Sequence, residues 1–294
     1  MTVDPGTFSY VSGLVHAEAA IVLGTGKEYL VESRLLPLMR EGGFGDIATF
    51  VMAARTRQDD GLRHKIVEAL TTNETSFFRD REPFKAFADV VIPELTRLLP
   101  EWSPIRIWSA ACSTGQEPFS LAMLVTDHPQ LASGRPVEIL ATDINEKVLQ
   151  KARGARFSQL EVNRGLPAPM LVRHFERVDT DWRVVSQVRD LVSFRPLNLA
   201  QPFDLPCMDV VFLRNVLIYF DAETKVSILR RMRRVMQPHG YLFLGGSETT
   251  LGLDDGFERV QIGSTSAYRP LGLGGQSTDA LTSRSVLSRL GANQ

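Results

Sequence analysis

Two acidic residues pose the chemical question. Glu117 stands in "IRIWSAACSTGQEPFSLAMLV" (Ile105 to Val125), behind an apolar run and a loop of small residues. Asp143 closes a second apolar run, "VEILATD", directly before the helical pattern "INEKVLQKA". Pro118 suits the first position of a helix, and the residue before a proline is pushed out of the α region. Glu117 is therefore expected at a strand–helix junction. A carboxylate there can receive an ammonium or a ribose hydroxyl; alone, it would only favour the helix N-terminus electrostatically. An acid at the end of the second strand is the usual receptor for a ribose diol. Asp143 can also cap the helix that follows, and the two roles are compatible.

The loop narrows the ligand. It holds one glycine, Gly115, where a dinucleotide fingerprint has three, and Asp143 lies beyond the usual spacing of roughly 20 residues. A pyrophosphate would want glycines and helix N–H groups. Two acids at adjacent strand ends suit a ligand carrying an adenosine and an amine, so S-adenosylmethionine fits better than a dinucleotide. An NAD oxidoreductase is the weakest reading. "GTGKE" (Gly24 to Glu28) fails the phosphate-loop pattern, and "GGSE" around Ser247 fails the nucleophile-elbow spacing. Cys112, Cys207 and the scattered histidines have no metal-binding or redox spacing, so no metal is expected.

The elements that must hold these acids are legible as alternation. "IRIWSA", "VEILATD", "DVVFLRN" and "YLFLGG" are strand-like, and helical patterns separate them. Near-continuous apolar strands between helices imply an α/β fold with a parallel sheet covered on both faces. Ligands then collect along the carboxyl edge of the strands. From about 153 to 196 the alternation breaks, and "WRVVSQVRDLVSFRPL" reads as a short hairpin in an insertion. Residues 7 to about 80 are helical in spacing, with Pro37 expected to kink or divide "YLVESRLLPLMRE" and Asp46 to cap "IATFVMAARTR". The expected organisation is a helical N-terminal domain (1–80), a linker (81–100), an α/β domain (101–270) and a mobile glycine- and serine-rich tail (271–294).

At 294 residues the chain can bury a substantial core. A net charge of −1 argues against general nucleic-acid binding. The N-terminus lacks a basic signal-peptide region, no apolar run reaches the roughly 18 residues of a membrane span, and cysteine is sparse. These features point to the cytoplasm.

Five ordered blocks carry a resemblance: "ALTTNETSFFRD", "IWSAACSTGQEPFSLAM", "ATDINEKVLQKA", "FLRNVLIYFD" and "PHGYLFLGGSE". Over about residues 10 to 270 the chain resembles the chemotaxis receptor methyltransferases, the CheR family of S-adenosylmethionine-dependent protein-glutamate O-methyltransferases. The resemblance implies a Rossmann-like class I methyltransferase sheet, an all-helical N-terminal domain and an inserted antiparallel β-subdomain. It implies that Asn73, Thr75 and Arg79 face the cofactor, that Glu117 and Asp143 meet its methionyl and ribose parts, and that Asn198 and Leu199 lie beside the adenine. It places Arg214, Asn215 and Tyr219 where cofactor and substrate meet, with Arg79 and Tyr219 as catalytic candidates. Without it, Thr71–Glu74 reads as a capping box and Arg79 as a solvated helix charge. Cys112 reads as a small packing residue.

The implied reaction is in-line attack of a receptor glutamate on the sulfonium methyl, leaving S-adenosylhomocysteine. The expected partner is the cytoplasmic helical domain of a membrane chemoreceptor, met by a monomer recruited to receptor arrays. Lys27, Arg34 and Arg40 are candidates for a basic docking patch, although an ordinary solvated face explains them nearly as well. Family members that tether to a receptor's C-terminal peptide have a longer, glycine-containing turn where this chain has "RVDTDWRV". Independence from that peptide is therefore expected. The competing readings are a methyltransferase of another substrate on the same fold and a cofactor-sensing adaptor without activity. The N-terminal block disfavours the first, and intact Asn73, Arg79, Glu117, Asp143 and Tyr219 disfavour the second.

Overall fold

The computed structural model describes residues 3–56, 60–128, 131 and 134–271. Of the tail expected at 271–294, all but Leu271 lies outside the described residues.

Helices α1 (Pro5–Ala19), α2 (Glu28–Glu41), α3 (Ile47–Thr56) and α4 (Asp60–Leu70) share one apolar core. Val11 and Val15, Val31 and Leu35, Phe50 and Ala54, and Ile66 and Leu70 are buried pairs at four-residue spacing, which sets them on one face of each helix. Asp46 accepts the Thr49 N–H at 2.6 Å and caps α3 as expected. Pro37 does not divide α2; the helix runs through it, because Pro37 is exposed and its missing N–H removes one bond on the solvent side. Arg34 also departs from expectation. It turns inward, donating to the carbonyls of Ala69 (3.2 Å) and Thr71 and to Thr72 Oγ1 (3.4 Å), so it satisfies the end of α4 rather than forming a free surface charge. Lys27 and Arg40 remain exposed.

Residues 81–100, expected as a linker, are largely helical. They form α5 (Glu82–Ala86), a π turn (Phe87–Val91) and α6 (Ile92–Leu98). Phe84, Phe87, Val91, Ile92 and Leu95 are buried in the core of the α/β part, and Phe84 stacks on Phe212 at 5.6 Å.

The α/β part runs β1 (Ile105–Ala110), α7 (Gln116–Asp127), β2 (Val137–Asp143), α8 (Glu146–Gly154), β3 (Arg156–Phe157), α9 (Gln159–Asn163), α10 (Ala168–His174), β4 (Phe175–Val178), β5 (Asp181–Val184), α11 (Ser186–Arg189), β6 (Val192–Pro196), β7 (Met208–Leu213), α12 (Ala222–Arg234), β8 (Met236–Leu244), β9 (Phe257–Ile262) and β10 (Thr265–Pro270). The main sheet has the order β6-β2-β1-β7-β8-β10-β9, with β10 antiparallel to both its neighbours. Side chains alternate between two cores: Ile107, Val210 and Phe212 face one, and Trp108, Val211 and Leu213 face the other. This is the Rossmann-like sheet that the resemblance implies. Strand order reverses direction between β1 and β7, the switch point at which ligands bind in open α/β sheets.

Strands β3, β5 and β4 make a separate antiparallel sheet within the insertion. The expected hairpin over "WRVVSQVRDLVSFRPL" does not form. Trp182–Val184 belong to the small sheet, whereas Val192–Pro196 return to the main sheet and pair in parallel with Ile139–Asp143. The short helix α11 joins them.

Candidate active site

Three βα junctions and one irregular strap build a crevice at the carboxyl ends of β1, β2 and β7. Gly115 opens the first junction with φ 95°, and an added Cβ would sit 3.0 Å from that of Ala152, so the close approach of α8 requires glycine. Helix α7 begins at Gln116, two residues before Pro118. Proline is tolerated there because first-turn N–H groups lack helical partners. Glu117 thus belongs to the first turn itself rather than to a junction outside it.

Glu117 is held from two sides. Ser109 Oγ donates to its Oε1 at 2.8 Å, and Arg214 Nη1 to its Oε2 at 3.1 Å. Burial pushes its carboxyl above the ordinary value; the Arg214 charge and the Ser109 bond pull the other way. The Arg214 side chain is only 1% exposed. Its Nη2 donates to Asp80 Oδ2 at 2.7 Å and to the Arg79 carbonyl at 2.8 Å, and its carbon centre lies 5.4 Å from the Phe84 ring. Its Nε is buried without an acceptor among the described residues.

Asp143 accepts the Ser113 N–H at 2.8 Å and the Asn145 N–H at 3.0 Å, one on each oxygen. Burial raises its carboxyl too, against these bonds. The cap of α8 is Asn145, which accepts from Lys147 N at 3.0 Å and Val148 N at 3.4 Å. Asn145 also donates to the Glu68 carbonyl at 3.1 Å and Thr71 Oγ1 at 3.0 Å. The end of α4 is thereby docked onto the β2–α8 junction.

Thr71–Arg81 forms the strap. No helix starts at Thr71–Glu74, so the capping-box pattern is misleading. The strap is instead pinned by tertiary bonds. Ser113 Oγ donates to the Asn73 carbonyl at 2.8 Å, and Phe78 N–H to Ser120 Oγ at 3.1 Å. Glu74 pairs with Arg164 of the insertion, and Phe77 packs edge-on against Phe157 and Phe175 at 4.9 and 5.7 Å. Phe78, Asp80 and Arg81 take φ of 48°, 64° and 43°, a cluster of left-handed residues of the kind found at functional sites. Arg79 is half-buried, and its Nη1 donates to the Glu74 carbonyl at 3.0 Å.

The opposite wall comes from the loops after β6 and β7. Asn198 Nδ2 donates to the Glu18 carbonyl at 2.7 Å and its Oδ1 accepts the Ala200 N–H at 2.9 Å, which ties the end of α1 to this loop. Leu199 is buried beside it. Tyr219 ends a 3₁₀ turn (Leu217–Tyr219), and its carbonyl accepts the Val22 N–H at 2.9 Å.

Asn73, Thr75, Arg79, Glu117, Asp143, Asn198, Leu199, Arg214, Asn215 and Tyr219 all line one crevice. Ala19, Ile21, Ser113 and Ile144 join them without having been singled out in the sequence. Ser113 lies in the small-residue loop that drew attention to the site. Ile21 had no sequence signal, since it enters through an isolated bridge to Phe220. Cys112 is buried against Ala141 and Leu149, and burial pushes its thiol well above the ordinary value, as suits packing rather than nucleophilic attack.

Residues 73–265 match the family model for the CheR methyltransferase SAM-binding domain, and residues 6–71 that for the CheR methyltransferase all-alpha domain. Chemotaxis protein methyltransferase 1 of Pseudomonas aeruginosa is 43% identical over 256 residues, which cover 85% of this chain and 92% of that protein. The chemotaxis protein methyltransferase of Vibrio parahaemolyticus is 39% identical over 92% of this chain and 98% of its own length. That of Escherichia coli is 36% identical over 85% and 86%.

Proposed function

The chain belongs to the CheR methyltransferase family, and on that footing we propose that it methylates glutamate side chains of chemoreceptors in sensory adaptation. S-adenosylmethionine is its methyl donor. The observation that carries the reading is the meeting, in one crevice, of two buried carboxylates from β1–α7 and β2–α8 with the strap that bears Arg79. A radiolabelled methyl-transfer assay on a receptor cytoplasmic domain tests it. Base-labile label on the receptor supports the proposal, and its absence removes it.

The crevice fits the donor on its own chemistry. Buried carboxylates suit an ammonium and ribose hydroxyls, and the orphaned Arg214 Nε wants an acceptor such as the donor's carboxylate. When bound, the donor supplies an electrophilic methyl on a sulfonium. Glu117 receives the amino group. Asp143 uses the remaining lone pairs of its two oxygens for the ribose. Leu199 and Ile144 offer apolar contact to the base, and Asn198 holds the wall they form while keeping one N–H and one lone pair uncommitted by these bonds.

A free glutamate titrates near 4.3, so the incoming nucleophile is ionised at neutral pH and no general base is needed. Arg79 and Tyr219 orient it along the methyl–sulfur axis, where alignment of this kind can contribute roughly 7–11 kcal/mol. Attack forms the oxygen–methyl bond as the methyl–sulfur bond breaks, and sulfur keeps the electron pair.

The insertion supports a direct mode of receptor recognition. Strands β4 and β5 are joined by Asp179 and Thr180 alone, with Asp179 at φ 57° in place of a glycine. This tight turn is our reason for proposing that the enzyme does not depend on a receptor's C-terminal peptide.

A further inference from the structure

One wall of the crevice is an irregular turn. β7 ends at Leu213, Asn215 takes a left-handed backbone at φ 58°, and a single 3₁₀ turn leads to Tyr219. Amides in such a turn have no strand or helix ladder to join. One carboxylate collects them. Glu248 Oε2 accepts the N–H groups of Asn215 and Gly245, each at 2.7 Å, and Oε1 accepts the Val216 N–H at 2.9 Å. The Glu248 N–H donates in turn to the Gly245 carbonyl at 2.9 Å, which fixes the clamp. Gly245 leaves room for it, because a Cβ there would lie 2.6 Å from Glu248 Oε2 and 2.7 Å from Asn215 Nδ2. Three charge-assisted bonds from two separate segments define the geometry of both.

We propose that Glu248 is a positioning residue for methyl transfer, its carboxylate clamping Asn215 and Val216 so that Asn215 faces the crevice and Tyr219 stands at the reacting end. Glu248 itself does not line the crevice, so it acts through the turn. The inference rests on the reading of Tyr219 as a residue of the transfer step. Glutamine at this position keeps the shape but turns an NH₂ toward N–H donors. Aspartate is one methylene too short to span Val216 and Gly245 together.

The test uses the full chain with Glu248→Gln and Glu248→Asp. It measures kcat on a receptor cytoplasmic domain, S-adenosylhomocysteine affinity, and amide hydrogen exchange at Asn215 and Val216. The expected result is kcat lowered roughly tenfold to a hundredfold by small misplacement. Product affinity should change by no more than about threefold, and exchange at both amides should quicken. The Tyr219→Phe/Glu248→Gln double variant should lose little beyond Tyr219→Phe alone, because residues acting as one unit do not add. Unchanged kcat with both amides still protected overturns the proposal, as does a fully additive double variant. If Glu248→Gln does not fold, Glu248→Asp carries the same measurements. Exchange reads the clamp even if no receptor is methylated, so failure of the substrate reading remains distinguishable.

Discussion

Arg214 binds Glu117 through one guanidinium nitrogen and Asp80 through another, bridging the crevice carboxylate to the strap that carries Arg79. Removing one partner of a buried ion pair leaves the other uncompensated, at about 3–5 kcal/mol. Arg214→Ala is expected to approach that loss in chemical denaturation. Arg214→Lys should fold yet bind S-adenosylhomocysteine at least about tenfold more weakly, since an ammonium cannot reproduce the fork. Calorimetry that gives wild-type affinity for Arg214→Lys would remove the bridging role.

Cofactor affinity should depend on pH through the same acid. Burial raises the Glu117 carboxyl from 4.5 and that of Asp143 from 3.8. Stability from a raised carboxyl is complete below its unfolded value and is lost as pH climbs through the folded value. The unliganded fold is therefore favoured on the acid side, whereas the ligand's ammonium needs Glu117 ionised. S-adenosylmethionine should bind more weakly as the pH falls from neutrality through this raised range. Glu117→Gln should flatten the trend, and an unaltered slope in that variant would assign it elsewhere.

Arg79→Ala and Tyr219→Phe should lower methyl transfer on the order of a hundredfold, as removal of an oriented polar group does in other active sites. Product affinity should fall by less than about tenfold. Near-normal turnover in both variants, measured under saturating cofactor, would remove them from the transfer step.

The strap should be sensitive at a residue that never meets the ligand. Gly165 has φ 94°, and a Cβ there would collide with the Phe77 carbonyl oxygen. Gly165→Ala is expected to destabilise the fold by about 1–3 kcal/mol, through backbone strain and overpacking. A thermal melt indistinguishable from wild type would show that the insertion does not buttress the strap.

A receptor C-terminal peptide should give no measurable heat on titration into the protein, because the β4–β5 turn is too short to extend a cradle around it. Micromolar binding would overturn tether independence.

Glu117 and Asp143 were legible because strand ends leave local marks: an apolar run, an acid, and then a proline or a helical pattern. The parallel sheet was legible for the same reason. The antiparallel pair β9–β10 and edge strand β6 escaped. β6 has no fully buried residue, and its partner strand β2 lies far away in sequence. The strap was opaque to local rules, since "TTNE" satisfies a capping pattern while its backbone is set by Ser113 and Ser120, dozens of residues away. Arg34 misled for a similar reason: periodicity locates a helix face but cannot tell which carbonyls a long side chain will reach.

The crevice is walled on one side by Ala19, Ile21 and Thr71–Thr75 and on the other by Asp143, Glu117 and Arg214. A molecule resting there touches both halves of the chain and can be gripped only when they are joined. By mass action, occupancy at a hundred times the dissociation constant would add about 2.7 kcal/mol to the hold between them. The methyl donor is in this sense mortar as well as reagent, and a cell short of it would carry a looser enzyme as well as an idle one.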